Sequence, residues 1–139
     1  SLVDDSSIGS VRQALSTVAR TVRIRTDSEG NSYIAATHNS WNFEIGFYDC
    51  VDNRDCLTMQ YSARFNTDGS FTDGDILTWH QDWVWGRIRT FEDDVILELP
   101  VYLQGGITTD NLINTHSLWI NVMEGFIEDL GWDQPQPTK

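Results

Sequence analysis

The sequence predicts an α+β domain in which helices pack on one face of an antiparallel sheet. Two apolar patterns support this fold class. Segments with a helical period stand at the start, middle and end of the chain, and segments that alternate apolar and polar residues stand between them. The predicted order is α-β-β-β-β-α-β-β-α. A chain of 139 residues is long enough for one sizeable core and too short for two. We therefore expect a single domain at residues 1–132 and a polar tail at 133–139.

The first helix is predicted within "DDSSIGSVRQALSTVAR", with Ser6 or Ser7 as its N-cap. Its apolar side chains recur at steps of three and four residues, which places them on one face: Ile8, Val11, Leu15 and Val18. Three strands are predicted to follow, in "TVRIRT", "SYIAATH" and "WNFEIGFY". The first two are separated by "DSEGN", whose residue types favour a turn.

The strictest alternation in the chain predicts a hairpin between the third strand and a fourth strand. Apolar residues occupy every second position of the fourth strand, at Leu57, Met59, Tyr61, Ala63 and Phe65. A hairpin closed around "VDNRD" places Phe47 opposite Met59, Ile45 opposite Tyr61 and Phe43 opposite Ala63. These pairs then share one buried face, as a half-buried antiparallel sheet requires.

The second half of the chain predicts a helix, a hairpin and a helix. Thr72 and Asp75 have capping-box spacing at the start of "FTDGDILTWHQDWVWG", which carries a stripe of Ile76, Trp79 and Trp83 and is expected to end at Gly86. "RIRTF" and "VILELPVYL" predict the hairpin, with Pro100 at an edge or a bulge. The last helix is expected to begin after Thr108 or Thr109 and to end at Gly131, with an apolar face of Leu112, His116, Trp119, Met123, Phe126 and Leu130.

The two cysteines, Cys50 and Cys56, lie on either side of the loop in the first hairpin. The predicted register pairs them across the loop, where opposed β-carbons are about 4.5–5.5 Å apart and a small movement allows a disulfide. Parity also places both on the face opposite Phe47. A disulfide in so short a loop contributes roughly 2–2.5 kcal/mol in the chain-entropy model. It would imply an oxidising compartment. Free structural thiols, or a metal-binding or catalytic pair, remain alternatives at this point.

The charge of the chain argues against nucleic acid as a partner. The sequence has 21 acidic residues against 9 basic ones, a formal charge of −12. Nucleic-acid binders need a basic patch, and the arginines here are spread along the chain. No apolar run approaches the roughly 18 residues that span a bilayer, so no membrane span is predicted.

The sequence contains no local catalytic or metal motif. The three histidines, His38, His80 and His116, are scattered, and His116 is expected to be a core residue with one hydrogen-bond partner. No serine stands in a G-x-S-x-G elbow, and neither acidic loop fits an EF-hand. We therefore predict no enzyme activity, no metal and no cofactor. A site assembled from distant Asp and His residues stays an alternative, because such sites are spatial rather than sequential.

Trp85 and Arg87 are the candidate partner contacts. Trp85 falls outside the predicted stripe of the middle helix and stands two residues before Arg87. Exposed tryptophan beside arginine is the composition enriched in protein-binding hot spots. Packing of Trp85 in the core is the alternative that the sequence leaves open.

Two runs, "FYDCVDNRDCLTMQYSARF" and "TWHQDWVWGRIRTFEDDVILELPVYLQGGIT", and the Trp-containing last helix resemble the bacterial YbjN family. Members of that family are described as regulators of sensory transduction. The resemblance covers roughly residues 22–130. The matching positions are Cys50, Cys56, Trp79, Gly86, Arg87, Gly105 and Gly106. Two positions depart from the family. His80 stands where Asn is expected after the Trp, and Pro100 interrupts a strand that usually carries an acid.

The resemblance implies a fold similar to type III secretion chaperones, no enzyme activity and export from the cytoplasm, which agrees with a disulfide. We therefore expect a non-catalytic regulatory or chaperone-like module that binds a partner protein or peptide segment in the periplasm or outside the cell. A homodimer is expected by analogy with chaperones of that fold. The alternatives are an envelope hydrolase with a dispersed Asp and His site, and a small-ligand sensor domain.

Overall fold

The computed structural model describes residues 2–3 and 7–133. It contains three helices, a six-stranded antiparallel sheet and a separate pair of short strands. The elements are β1 (Leu2–Val3), α1 (Ile8–Leu15), β2 (Val22–Thr26), β3 (Ser32–His38), β4 (Trp41–Tyr48), β5 (Thr58–Phe65), α2 (Asp73–Asp82), β6 (Arg87–Phe91), β7 (Asp94–Tyr102), β8 (Ile107–Thr108) and α3 (Thr109–Leu130). The α+β class is thus confirmed, with the first helix before the sheet and the last after it. The β1–β8 pair was not predicted, and the predicted tail lies, apart from Asp133, outside the described residues.

The six-stranded sheet has the order β2-β3-β4-β5-β7-β6, and every neighbouring pair is antiparallel. The predicted register of the first hairpin is confirmed, since Phe47 pairs with Met59 and Ile45 with Tyr61. The β4–β5 ladder begins at Glu44, so the pair predicted at Phe43 lies just beyond it. Because the register is kept across the sheet, one row of buried side chains crosses four strands, at Ile34, Ile45, Tyr61 and Leu99.

All three helices contribute buried side chains to one core on the inner face of the sheet. Trp119 of α3 stacks on Tyr61 of β5, with ring centroids 5.3 Å apart. Phe126, two turns further along α3, contacts Phe65 of β5 at 5.0 Å and Trp79 of α2 at 5.2 Å. Aromatic pairs at such distances add to the free energy gained by burying their area. The long apolar face of α3 is therefore the surface on which the sheet and α2 both pack.

The two shorter helices end earlier than the sequence predicts. The hydroxyls of Ser16 and Thr17 donate to the carbonyls of Gln13 and Ala14, a local alternative to continuing a helix, and α1 ends at Leu15. Val18 is consequently half exposed rather than part of the apolar face.

The capping box of Thr72 and Asp75 is confirmed at the start of α2, but this helix ends at Asp82 instead of Gly86. Trp83 has an extended backbone, with φ −117° and ψ 127°, and the next three residues form a connection rather than a helical turn. This difference decides where Trp85 lies.

Pro100 lies at a locally exposed edge of the sheet, as predicted. It pairs with Gln60 of β5 on one side, whereas β6 pairs with β7 only as far as Glu98 on the other. Proline has no backbone N–H to donate, and it is tolerated at a position where no second strand needs that hydrogen bond.

Cys50 and Cys56 form a disulfide that closes the β4–β5 loop. Cys56 is fully buried, which its predicted position on the face opposite Phe47 did not suggest. Strand parity does not extend into the loop, because Asp49, Asp52, Asn53 and Asp55 all have positive φ and turn the chain. A disulfide is typical of proteins in oxidising, extracellular compartments.

Among residues 2–3 and 7–133, no helix combines the length and apolar character needed to cross a bilayer.

Reduction of the disulfide is expected to lower the free energy of unfolding by roughly 2 kcal/mol, because the cross-link restricts the unfolded chain over a sequence separation of 6. Urea denaturation with and without a phosphine reductant measures this difference. A variant with both Cys50→Ser and Cys56→Ser is the control and should not respond to reductant. Equal unfolding free energies for the oxidised and reduced wild type would contradict the prediction.

Candidate functional site

The two predicted contact residues lie in a short connection between α2 and β6, which we call the Trp83–Arg87 segment. Its first residue, Trp83, follows the last residue of α2, and its last residue, Arg87, is the first of β6. The segment crosses α3 on the inner side of the sheet. Its conformation is determined by contacts at its two ends.

Trp83 fixes the beginning of the segment. Its ring stacks on Trp79 with centroids 4.7 Å apart and an angle of 10° between the planes. The ring edge lies directly over Gly125 of α3, where a β-carbon would come within 2.3 Å of Trp83 Cζ2. No side chain larger than hydrogen fits at that position without displacing the indole. The absence of a side chain at Gly125 therefore leaves a slot in the surface of α3, and the indole of Trp83 fills it.

Gly86 fixes the end of the segment. Its φ of +95° lies in the region that favours glycine, and a β-carbon there would come within 2.8 Å of Val122 Cγ1. Val122 and Gly125 are three residues apart on α3, so they lie on the same face of that helix. Both ends of the segment thus rest on one face of α3.

The two residues between these anchors are exposed. Val84 is 89% exposed and Trp85 is 55% exposed. Large apolar side chains in solvent are unremarkable one at a time, but two consecutive ones on a backbone held at both ends form a fixed apolar protrusion. The sequence pattern pointed to Trp85 but not to Val84, whose position between two tryptophans predicted part of a helix.

Arg87 lies on the outer face of the sheet, where it binds Glu98 of β7. Its Nη2 is 2.6 Å from Glu98 Oε1, and Arg89 Nε is 2.9 Å from Oε2 of the same carboxylate. Gln60 donates a further hydrogen bond to Oε2 at 3.1 Å. Glu98 is only 2% exposed although none of the helices among the described residues covers this face, because the flanking side chains enclose it. The guanidinium of Arg87 is consequently held on the outer face of the sheet, two residues along the chain from Trp85.

The structure brings His38 and His116 to one cleft and leaves His80 apart from them, although all three are scattered in the sequence. His80 Nε2 accepts a hydrogen bond from the backbone N–H of Ile88 at 3.4 Å. His38 Nε2 lies 3.4 Å from Glu124 of α3. Within the described ranges, no three His, Cys, Asp or Glu residues are grouped as metal ligands would be.

His116 is buried in the core, and its Nδ1 lies 3.0 Å from the Tyr61 hydroxyl. The sequence predicts a core histidine with one hydrogen-bond partner, and Tyr61 is that partner. Burial, with a smaller contribution from nearby His38, lowers the pKa of His116 from 6.5 to about 4. The imidazole is therefore neutral at physiological pH. It also lines a cleft formed by the 18–21 connection, residues 37–39 and α3.

The chain matches no protein-family model, no curated protein and no solved structure. The resemblance to the YbjN family therefore stays a prediction, as do the relationship to type III secretion chaperones and the homodimer.

Replacing Gly125 by alanine is expected to destabilise the protein by about 1–3 kcal/mol, because the added methyl group overlaps the ring of Trp83. This loss should exceed the gain of up to about 1 kcal/mol that alanine gives in a helix interior. Gly74→Ala in α2 is the matched control, since its nearest neighbour is Thr72 Oγ1 at 3.7 Å. Chemical denaturation should show lower stability for the first variant and equal or higher stability for the second. Equal stability of both would contradict the proposed slot.

Stability is expected to fall as the pH is lowered from 7.5 to 5. Below pH 6.5 the unfolded chain binds a proton at His116 that the folded chain accepts only near pH 4. The unfolded state is thereby favoured by about 2 kcal/mol at pH 5. His116→Gln should remove this part of the pH dependence, and comparison of the two proteins separates it from other groups such as Glu44, whose pKa is raised by burial. Parallel stability–pH curves for wild type and variant would show that His116 does not titrate in this way.

Proposed function

We propose that this chain is a non-catalytic bacterial module that binds a partner protein or peptide segment through Val84 and Trp85. The observation that carries the proposal is the exposure of two consecutive apolar side chains on a backbone anchored at both ends to α3. This protrusion is the part of the described chain that most resembles a binding hot spot.

The anchoring matters because association has an entropic cost. A loop that must become ordered on binding loses free energy for each residue that is immobilised, whereas a preorganised one does not. The stacking of Trp83 on Trp79 and the contact of Gly86 with Val122 place the segment in one conformation before any partner arrives. Burial of Trp85 in a pocket of the partner then contributes directly to affinity.

The charges around the segment favour a particular kind of partner surface. Arg87 and Arg89 share Glu98, so the cluster carries one net positive charge in a chain with a formal charge of −12. A partner that covers both Trp85 and the start of β6 would complement this arrangement with an apolar pocket and a carboxylate that reaches the outer face of the sheet. Such complementarity improves orientation and the rate of association more than it improves affinity.

The compartment we propose is the periplasm or the extracellular space of a bacterium. The Cys50–Cys56 disulfide supports an oxidising environment, and the resemblance to the YbjN family supports a bacterial, regulatory or chaperone-like role. A homodimer formed through Trp85 is the version of the proposal in which the partner is a second copy of the chain.

Trp85→Ala is expected to weaken partner binding at least tenfold, because the truncation removes the central apolar contact. Leu77→Ala is the matched control, since Leu77 is also exposed, at 63%, but lies on α2 outside the anchored segment. The partner is first captured from a bacterial envelope extract, and its affinity for the three proteins is then measured by calorimetry.

Light scattering on the same proteins tests the homodimer. A wild-type dimer that becomes a monomer only with Trp85→Ala would identify a second copy as the partner. The proposal fails if both substitutions leave the affinity and the oligomeric state unchanged, or if both alter them equally.

A further inference from the structure

The cleft beside His116 differs in charge from the other clefts of the molecule. It has a volume of about 590 Å³ and no Asp or Glu among its described lining residues. The three other clefts that we compared are each lined by at least one carboxylate. His38 already lies 3.4 Å from the Glu124 carboxylate, which is outside the lining. In a chain with 21 acidic residues, a cleft lined by Arg20 and His116 and by no described carboxylate is suited to a ligand that carries negative charge.

The tautomer of His116 follows from its contact with Tyr61. Burial raises the pKa of Tyr61 beyond its usual range, so the phenol keeps its proton. Among the described residues its hydroxyl has no acceptor other than His116 Nδ1, at 3.0 Å. A buried hydroxyl that does not donate a hydrogen bond is costly, because it has lost its contact with water. The phenol therefore donates to Nδ1, and the single ring proton of neutral His116 is on Nε2.

The Nε2–H of His116 has no hydrogen-bond partner in the described chain, although the residue is only 6% exposed. The indole nitrogens of Trp79 and Trp119 also lack a hydrogen-bond partner, but they are fully enclosed, and His116 Nε2 is not among these enclosed atoms. The nitrogen consequently retains access to solvent, and the solvent-accessible space that His116 lines is this cleft. Contacts with the rings of Phe43 and Tyr61, at centroid distances of 6.0 and 5.7 Å, hold the imidazole in this orientation.

The remaining lining residues describe the rest of the ligand. Arg20 makes no ion pair with any described residue, and Ser117 adds a hydroxyl next to His116 on α3. Val18, Ala19 and Ile120 supply an apolar wall. A volume of about 590 Å³ lies in the range that accommodates a small organic molecule.

We propose that this cleft binds a small organic carboxylate whose anionic group accepts a hydrogen bond from His116 Nε2–H and pairs with Arg20. The apolar body of the ligand packs against Val18 and Ile120. A neutral imidazole that donates to an oxyanion needs no proton exchange on binding. This site is separate from the Val84–Trp85 protrusion, and the proposal does not depend on the partner-binding function.

The first test determines the tautomer of His116 by ¹⁵N NMR of the histidine rings at pH 7.5. We expect protonated Nε2 and unprotonated Nδ1. The opposite tautomer would overturn the proposal, because Nε2 would then have no proton to donate to a carboxylate.

The second test is a titration with benzoate and with butyrate, with benzamide and butyramide as neutral analogues and inorganic phosphate as a different anion, all at constant ionic strength. We expect saturable shifts of the His116 ring and of the amides of residues 117–121 with at least one carboxylate, and at least tenfold weaker binding of its amide. Shifts that do not saturate, equal binding of acid and amide, or binding of phosphate alone would each overturn the proposal.

Arg20→Gln tests the site without altering the core, since Arg20 lies on an exposed connection. We expect at least tenfold weaker binding of the carboxylate, whereas Arg54→Gln, in the disulfide loop outside the cleft, should bind it as the wild type does. Unchanged binding by Arg20→Gln, or an equal loss with both variants, would contradict the assignment.

Discussion

The packing of α3 across the inner face of the sheet is the interaction on which the rest of the structure depends. Trp119 covers Tyr61 at the centre of the sheet, and Phe126 joins β5 to α2 through Phe65 and Trp79. The same helix supplies the glycine slot for Trp83 and the imidazole that lines the cleft. Both candidate sites thus depend on residues of the same helix, α3.

The outer face of the sheet is stabilised differently, because no helix in the described part of the chain covers it. Two carboxylates on this face, Asp94 and Glu98, are nonetheless buried, and arginines bind both of them. The guanidinium of Arg64, which binds Asp94, also lies over the ring of Phe91 at 4.9 Å. The aliphatic stems of arginine can cover a sheet surface while their charged ends stay in water. The ion pairs described on this face therefore hold neighbouring strands together, whereas Trp83 and Gly86, on either side of the protrusion, contact α3.

Much of the fold could be predicted from local sequence. The strands Ser32–His38 and Trp41–Tyr48 begin and end where alternation predicts, and the hairpin register that pairs Phe47 with Met59 also brought the cysteines together. These features depend on neighbouring residues and on the period of a strand. The sequence likewise identified His116 as a core residue with one partner, since it occupies a helical step on the apolar face of α3.

What could not be predicted depends on contacts between distant residues. The helical stripe of Trp79 and Trp83 predicted a helix that ends at Gly86. In the structure α2 ends at Asp82, because Trp83 packs into the slot at Gly125, and Val84 is exposed. Nothing local to residues 79–86 specifies that slot, which lies some forty residues later in the chain. The burial of Cys56 is of the same kind, because positive φ values in the loop interrupt the parity of the strand.

The central claim is that α3 holds the Trp83–Arg87 segment rigid while Val84 and Trp85 face solvent, and ¹⁵N relaxation of the backbone amides tests it most directly. The account predicts order parameters for Val84 and Trp85 close to those of α3, about 0.85, despite their exposure. Values below about 0.6 at these two residues would show a flexible loop and would contradict the claim that the protrusion is preorganised.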